Sequence, residues 1–182
     1  ESNGPSKVAR ILRLNTETGE SEVFSNGHRN PQGIAWHPDT ELFYSSEHGT
    51  NRMDEINLIE KGKNYGWPQM LCDGPREEGE ISRDSEDPII CFDEWTLAPS
   101  GMAFINDSSS PLDGDMLVGG LSGNYIHRVD FEGEEIVKES VFYINTEDKE
   151  ESKLSRRIRD VEHFENSVWA LGDKKGLVQI KY

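Results

Sequence analysis

The chain has 182 residues, and 35 acidic against 19 basic side chains give it a formal net charge of −16. Such a charge repels phosphate backbones and anionic lipid surfaces, so nucleic acid is not an expected partner. The length suffices for one domain with a real core, and no apolar stretch reaches the length that a membrane span requires. The acidic excess itself has three readings: a solvated surface, adaptation to high salt, or calcium sites, which need only a few of these oxygens.

Taken in chain order, short apolar runs bounded by Gly, Pro, Asp and Asn recur with almost no helical periodicity, which predicts an all-β fold. Val8 to Leu14 and Glu22 to Phe24 read as two strands joined by the turn at Asn15 to Glu20. Gly33-Ile34-Ala35-Trp36-His37-Pro38 leads through a turn to Glu41 to Ser46 and then to Asp54 to Ile59. The same order returns at Gly101 to Asn106, Asp115 to Gly120 and Tyr125 to Phe131, where Glu139 to Ile144 adds a fourth strand. A third unit runs through Arg159 to Phe164, Val168 to Gly172 and Leu177 to Tyr182. A repeated polar entry, inner strand, turn and second strand is what the radial blades of a propeller produce, because each inner strand starts at the same face of the channel. The expected organisation is a single partial β-propeller of about three four-stranded blades. It comprises outer strands of a preceding blade at 1–26 and blades at 27–95, 96–146 and 147–182.

The most informative stretch is Gly27-His28-Arg29-Asn30-Pro31-Gln32-Gly33-Ile34-Ala35-Trp36-His37-Pro38, followed by Ser46-Glu47-His48-Gly49, Asp54-Glu55-Ile56-Asn57 and Gly62-Lys63-Asn64-Tyr65-Gly66-Trp67-Pro68. This ordered run resembles the soluble quinoprotein sugar dehydrogenases, six-bladed propellers that use pyrroloquinoline quinone and calcium to oxidise the anomeric carbon of aldose sugars to lactones. A complete propeller of that kind needs roughly twice this length, at about 40–60 residues per blade, so the resemblance implies the C-terminal half of the fold.

Arg29 and Asn30 stand at the entry of the first blade, Arg157 and Arg159 at the entry of the third. A guanidinium is a planar fork of donors that matches a carboxylate in bidentate fashion, so these groups suit a polycarboxylated ligand, although surface carboxylates of the chain itself would also take them. The resemblance assigns all four to the quinone, together with Thr96 of Thr96-Leu97-Ala98-Pro99-Ser100-Gly101, whose hydroxyl can donate and accept. It also implies calcium on backbone oxygens around Gly49 and Thr50, and a second, structural calcium on Glu55 and an oxygen of Tyr65. Calcium accepts such mixed shells, while Asp54 and Glu55 read on their own are equally a solvated strand end. At Leu121-Ser122-Gly123 the glucose-oxidising branch places a lysine, and here Ser122 stands.

The five histidines show no zinc-like spacing; most are expected to be structural, and His48, in the calcium loop, could face the cofactor. The family's proton acceptor lies in a Val-His-x-Gly-Gly segment that does not occur here, so this chain by itself is expected to be inactive. Cys72 and Cys91 flank an acidic, irregular loop and are either a disulfide or two thiols on composition alone; the periplasmic or extracellular setting implied by the resemblance favours the disulfide. A rival reading is a non-catalytic extracellular propeller that binds a protein or glycan, favoured by Ser122 and by the missing histidine segment. A half propeller leaves two apolar flanks, expected to carry residues such as Val8, Leu12, Val168 and Leu177, so a homodimer or a missing N-terminal half is expected to cover them.

Overall fold

Alternation of side chains along short strands dictates the layers seen in the computed structural model, which describes residues 9–50, 52–72, 74–75, 84–122, 125–143, 157–173 and 176–181. Among them there is no helix. A two-stranded ribbon of β1 (Arg10–Leu14) and β2 (Ser21–Asn26) comes first. Next is a four-stranded antiparallel sheet of β3 (Pro31–Trp36), β4 (Phe43–Glu47), β5 (Asp54–Leu58) and β8 (Ile90–Phe92), interrupted by the short pair β6 (Met70–Leu71) and β7 (Gly74–Pro75). The third element is the sheet β9 (Pro99–Phe104), β10 (Met116–Gly120), β11 (Tyr125–Glu132) and β12 (Glu135–Tyr143). The last is β13 (Ile158–Phe164), β14 (Ser167–Gly172) and β15 (Gly176–Ile180). These are the blades of a partial β-propeller, with β3, β9 and β13 as successive first strands that pack β3 on β9 and β9 on β13.

The last blade shows three described strands, the ones the sequence marks. The first gains a strand the sequence reading did not have, β8, hidden within the loop that the acidic composition of residues 72–91 suggests. Ile90-Cys91-Phe92 is too short to show a period, yet Ile90 and Phe92 are buried on one face and pair with Ile56 and Asp54. The Cys72–Cys91 disulfide, with its Cα atoms 5.5 Å apart, returns the excursion to this strand. The expected residues Val8, Ile144 and Tyr182 lie outside the described ones.

The middle sheet is covered on both faces, and period two explains how. Met116 and Val118 of β10 join Ala35, Tyr44, Ile56 and Phe92 in the core shared with the first blade. Leu117, between them, joins Ile158, Val161, Val168 and Ala170 in the core shared with the last blade. Burying one such side chain is worth about 1.5–3 kcal/mol. Val168, expected on an open flank, is therefore buried, because its register with Ile180 and His163 turns it inward. Leu12 and Leu177 are exposed as expected.

The first strands are also stitched through hydroxyls. Ser46 Oγ donates to the Ser100 carbonyl at 3.2 Å, and Ser100 Oγ sits between the carbonyls of Gly119 at 3.0 Å and Ile158 at 2.7 Å. Gly33 permits the approach: a Cβ there would lie 2.5 Å from the Ser100 carbonyl oxygen. This packing brings the entries of β3, β9 and β13, and with them the predicted site residues, to the starts of adjacent strands.

Candidate functional site at the blade entries

At the entry of β3, two exposed side chains stand on a buried anchor. Arg29 and Asn30 are exposed, while their backbone N–H groups donate to Glu47 Oε2 at 2.8 and 3.2 Å. Glu47 is 2% exposed, and its Oε1 accepts from Asn57 Nδ2 at 2.9 Å and faces His28 Nδ1 at 3.1 Å. His28 Nε2 meets Ser25 Oγ at 2.8 Å, and Tyr65 stacks on the imidazole with ring centroids 4.7 Å apart. The connectivity Ser25–His28–Glu47 is that of a hydrolase triad, but Ser25 and His28 are fully buried and the ring is covered, so the trio acts as an internal strut. The Arg29 guanidinium donates to the His48 carbonyl at 2.9 Å and lies 5.3 Å from the Trp67 ring centroid. Stacking and hydrogen bonding together fix the direction of the fork.

The loop after β4 carries the expected metal oxygens. Gly49 is required there, since a Cβ would fall 1.3 Å from the Met53 carbonyl oxygen. Its N–H donates to Asp54 Oδ1 at 3.1 Å, and the Thr50 carbonyl accepts from Met53 N at 3.3 Å. A cavity of about 10 Å³, the scale of one water or ion, is lined by Glu47, His48, Gly49, Glu55 and Tyr65 among others. Three of the four expected calcium residues thus share one cavity, whose lining does not include Thr50.

The cavity's lining sets the acidic Glu47 and Glu55 beside the Arg29 side chain, so its charge is mixed. Burial, then the neighbouring Glu47 carboxylate, pushes the Glu55 carboxyl up to about 7, against a hydrogen bond from Asn57. Asn57 Oδ1 is buried without a hydrogen-bond partner among the described residues. No group of three or more His, Cys, Asp or Glu with metal-binding placement occurs among the described residues. A cation here would therefore need carbonyl oxygens beside Glu55, a shell that calcium accepts. Tyr65 has its hydroxyl committed, donating to the Leu58 carbonyl at 2.6 Å and accepting from Glu60 N at 2.9 Å, which leaves the main-chain carbonyl as its oxygen to offer. Burial pushes that phenol up to about 12.

The second entry is tied to the first. Asp54 Oδ2 accepts from Ala98 N at 2.7 Å, and His48 Nε2 meets the Pro99 carbonyl at 2.7 Å. His48 accordingly spends one ring nitrogen on the neighbouring blade, where the sequence suggested the cofactor. Thr96 is exposed, and its carbonyl takes the Ser122 hydroxyl and, at 3.3 Å, the Tyr125 hydroxyl. Ser122 thus holds the Thr96 corner from behind.

At the third entry Arg157 and Arg159 are exposed on either side of buried Ile158. Both converge on Asp173: Arg159 pairs with it through Nε and, at 3.1 Å, through Nη2, and Arg157 Nε lies 3.7 Å away. Asp173, Glu47 and the bridging role of Asp54 are what sequence reasoning missed. Glu47 stood inside the quoted motif, but an acid at a strand end gives no sign that it will be buried and fourfold bonded.

Residues 12–179 match the glucose/sorbosone dehydrogenase family. The chain belongs to that family. It is 56% identical over 74 residues to quinoprotein glucose dehydrogenase B of Acinetobacter calcoaceticus, covering 35% of this chain and 15% of that one. Its fold superposes on a glucose dehydrogenase structure with TM-score 0.80 and 28% identity, covering 96% of this chain and 54% of that one. A PQQ-bound aldose sugar dehydrogenase from Streptomyces coelicolor matches with TM-score 0.67 and 27% identity over 94% of this chain and 51% of its own. The chain spans about half the length of the solved family members it matches.

Proposed function

We propose that this chain is the cofactor-holding portion of a quinoprotein sugar dehydrogenase that oxidises aldoses at the anomeric carbon. The observation that carries the reading is the exposed Arg29–Asn30 pair on a backbone anchored by buried Glu47. A second pair of guanidiniums, Arg157 and Arg159, stands at the entry of another blade, in a chain whose net charge is −16. Exposed donors concentrated at strand entries of so acidic a molecule suit a polycarboxylated anion such as pyrroloquinoline quinone. Arg29, Asn30, Thr96, Arg157 and Arg159 would hold it. Calcium would lie near Gly49 and Thr50 and a further ion on Glu55 and the Tyr65 carbonyl, although the one cavity that Gly49, Glu55 and Tyr65 line has room for a single ion. When bound, the quinone supplies the two-electron oxidising chemistry. The chain's own residues bind and orient it, and the acceptor of the sugar proton belongs to the remainder of the propeller.

The disulfide favours a periplasmic or extracellular setting. Both flanks are covered by another half propeller, either the remainder of a longer chain or a second copy.

Ser122 supports a second reading, a propeller that binds a protein or glycan without catalysis. Its hydroxyl is spent on the Thr96 carbonyl and brings no positive charge to the entry. Equilibrium dialysis of quinone against the chain with calcium separates the two. The dehydrogenase reading expects saturable binding that Arg29→Ala and Arg159→Ala weaken, and no sugar turnover with an artificial electron acceptor until the other half is supplied. Absence of saturable binding favours the second reading.

A further inference from the structure

We propose that Glu47 is the positioning residue of the quinone site, acting through the turn at Arg29 and Asn30. The inference rests on the cofactor reading above. Glu47 touches none of the side chains assigned to the ligand. It is nevertheless the point on which the turn hangs, since one oxygen takes both consecutive N–H groups, from Arg29 at 2.8 Å and Asn30 at 3.2 Å. The other oxygen takes Asn57 Nδ2 at 2.9 Å and lies 3.1 Å from His28 Nδ1.

The tautomer with the proton on His28 Nδ1 satisfies the whole chain of bonds, with the Ser25 hydroxyl donating to Nε2 at 2.8 Å. All three members of that chain are almost completely buried, so the carboxylate is fixed from behind by groups that water does not reach. From the front, two consecutive amides on one carboxylate oxygen define the direction in which the next side chains leave the backbone. A carboxylate suits the position because it accepts the two backbone N–H groups and Asn57 Nδ2 and, in this tautomer, His28 Nδ1 as well. A glutamine keeps one acceptor oxygen: with that oxygen on the turn, its NH₂ faces Asn57 Nδ2 and drives His28 to the other tautomer, which disrupts the bonds that hold the group from behind. Groups that orient metal-ligating residues typically cost 10–100-fold in affinity when altered, and the same scale is taken here for the turn.

The test is binding of pyrroloquinoline quinone to the full chain in calcium, read by equilibrium dialysis, with melting temperature recorded for each variant. Glu47→Gln is expected to weaken binding about 10–100-fold. In the Arg29→Ala/Asn30→Ala background the same change is expected to add little, because the groups through which Glu47 acts are already gone. A purely structural role would leave the two losses additive, and that result overturns the proposal. So does wild-type affinity in a folded Glu47→Gln chain. Should Glu47→Gln not fold, Glu47→Asp keeps the charge beside His28 but shortens the reach to the turn, and unchanged affinity in that variant overturns the proposal equally. If the wild-type chain binds no quinone, the cofactor reading falls and takes this inference with it. If Arg29→Ala loses binding while Glu47→Gln keeps it, the cofactor reading stands and only the inference fails.

Discussion

Asp54 and Ala98 are joined by a 2.7 Å hydrogen bond that crosses from one blade to the next, the carboxylate accepting the N–H of a residue whose φ is 48°. The second carboxylate oxygen takes Gly49 N at 3.1 Å, so one buried acid fixes both the loop assigned to calcium and the corner assigned to Thr96. Replacing it with asparagine keeps the shape but turns one acceptor into a donor facing an N–H.

Asp54→Asn is therefore expected to destabilise by about 1–3 kcal/mol, the cost of leaving a buried donor unpaired. For a chain of this size the melting temperature should fall by roughly 2–4 °C per kcal/mol. Thermal unfolding followed by circular dichroism checks this, and a variant that melts with the wild type would show that the bridge contributes nothing.

Calcium is expected to stabilise the chain without quinone. At about 100 times its dissociation constant it should add roughly 2.7 kcal/mol. Glu55→Gln should abolish that increment, and in chelator it should melt no lower than wild type, because it removes a carboxyl that burial, then Glu47, already pushes up to about 7. Coincident curves for wild type with calcium and with chelator would reject the site.

His127, on β11 of the middle blade, gives a pH dependence. Burial between Phe92 and Trp95 lowers its pKa from the ordinary 6.5, while Glu139, 2.8 Å from Nε2, acts in the opposite direction. The folded form thus takes up its proton at lower pH than the unfolded chain does. This residue costs no stability above about 6.5, and stability falls as the pH drops below that value. His127→Gln retains a donor for Glu139 and cannot titrate, so its loss of stability between pH 7 and 5.5 should be smaller than that of wild type. Equal losses in denaturant titrations at the two pH values would contradict the assignment.

The legible part of this molecule was what repeats. Polar entry, short apolar strand and turn recur three times, and that order alone placed Arg29, Arg157 and Arg159 at strand entries. Illegible were features set by partners distant in sequence. Val168 looks like a flank residue until its register with Ile180 turns it into the core. Ile90-Cys91-Phe92 carries no period of its own and becomes a strand only because β5 has an open edge and the disulfide brings the chain back to it. Asp173 lies beyond the run that marks β14, and nothing local shows that two arginines will converge on it.

The open flanks set the last expectation, association of the isolated chain. On the first flank Ile34 and Trp36 are 52% and 58% exposed, and with Leu12, Phe24 and Phe43 they line an apolar cleft of about 300 Å³. On the other, Phe164, Leu171 and Leu177 are 64%, 43% and 62% exposed on a sheet with three described strands. At roughly 25 cal/mol per Å², covering several hundred Å² of such surface contributes many kcal/mol, comparable to the stability of a whole domain. A second half propeller, either another copy or the N-terminal half of a family member, would cover both flanks. We expect sedimentation at micromolar concentration to show association that grows with concentration, and addition of the N-terminal half of a family member to suppress it. A discrete dimer would show that two copies close the ring between them. A monomer at all concentrations would mean that the exposed residues of both flanks are too scattered to drive contact.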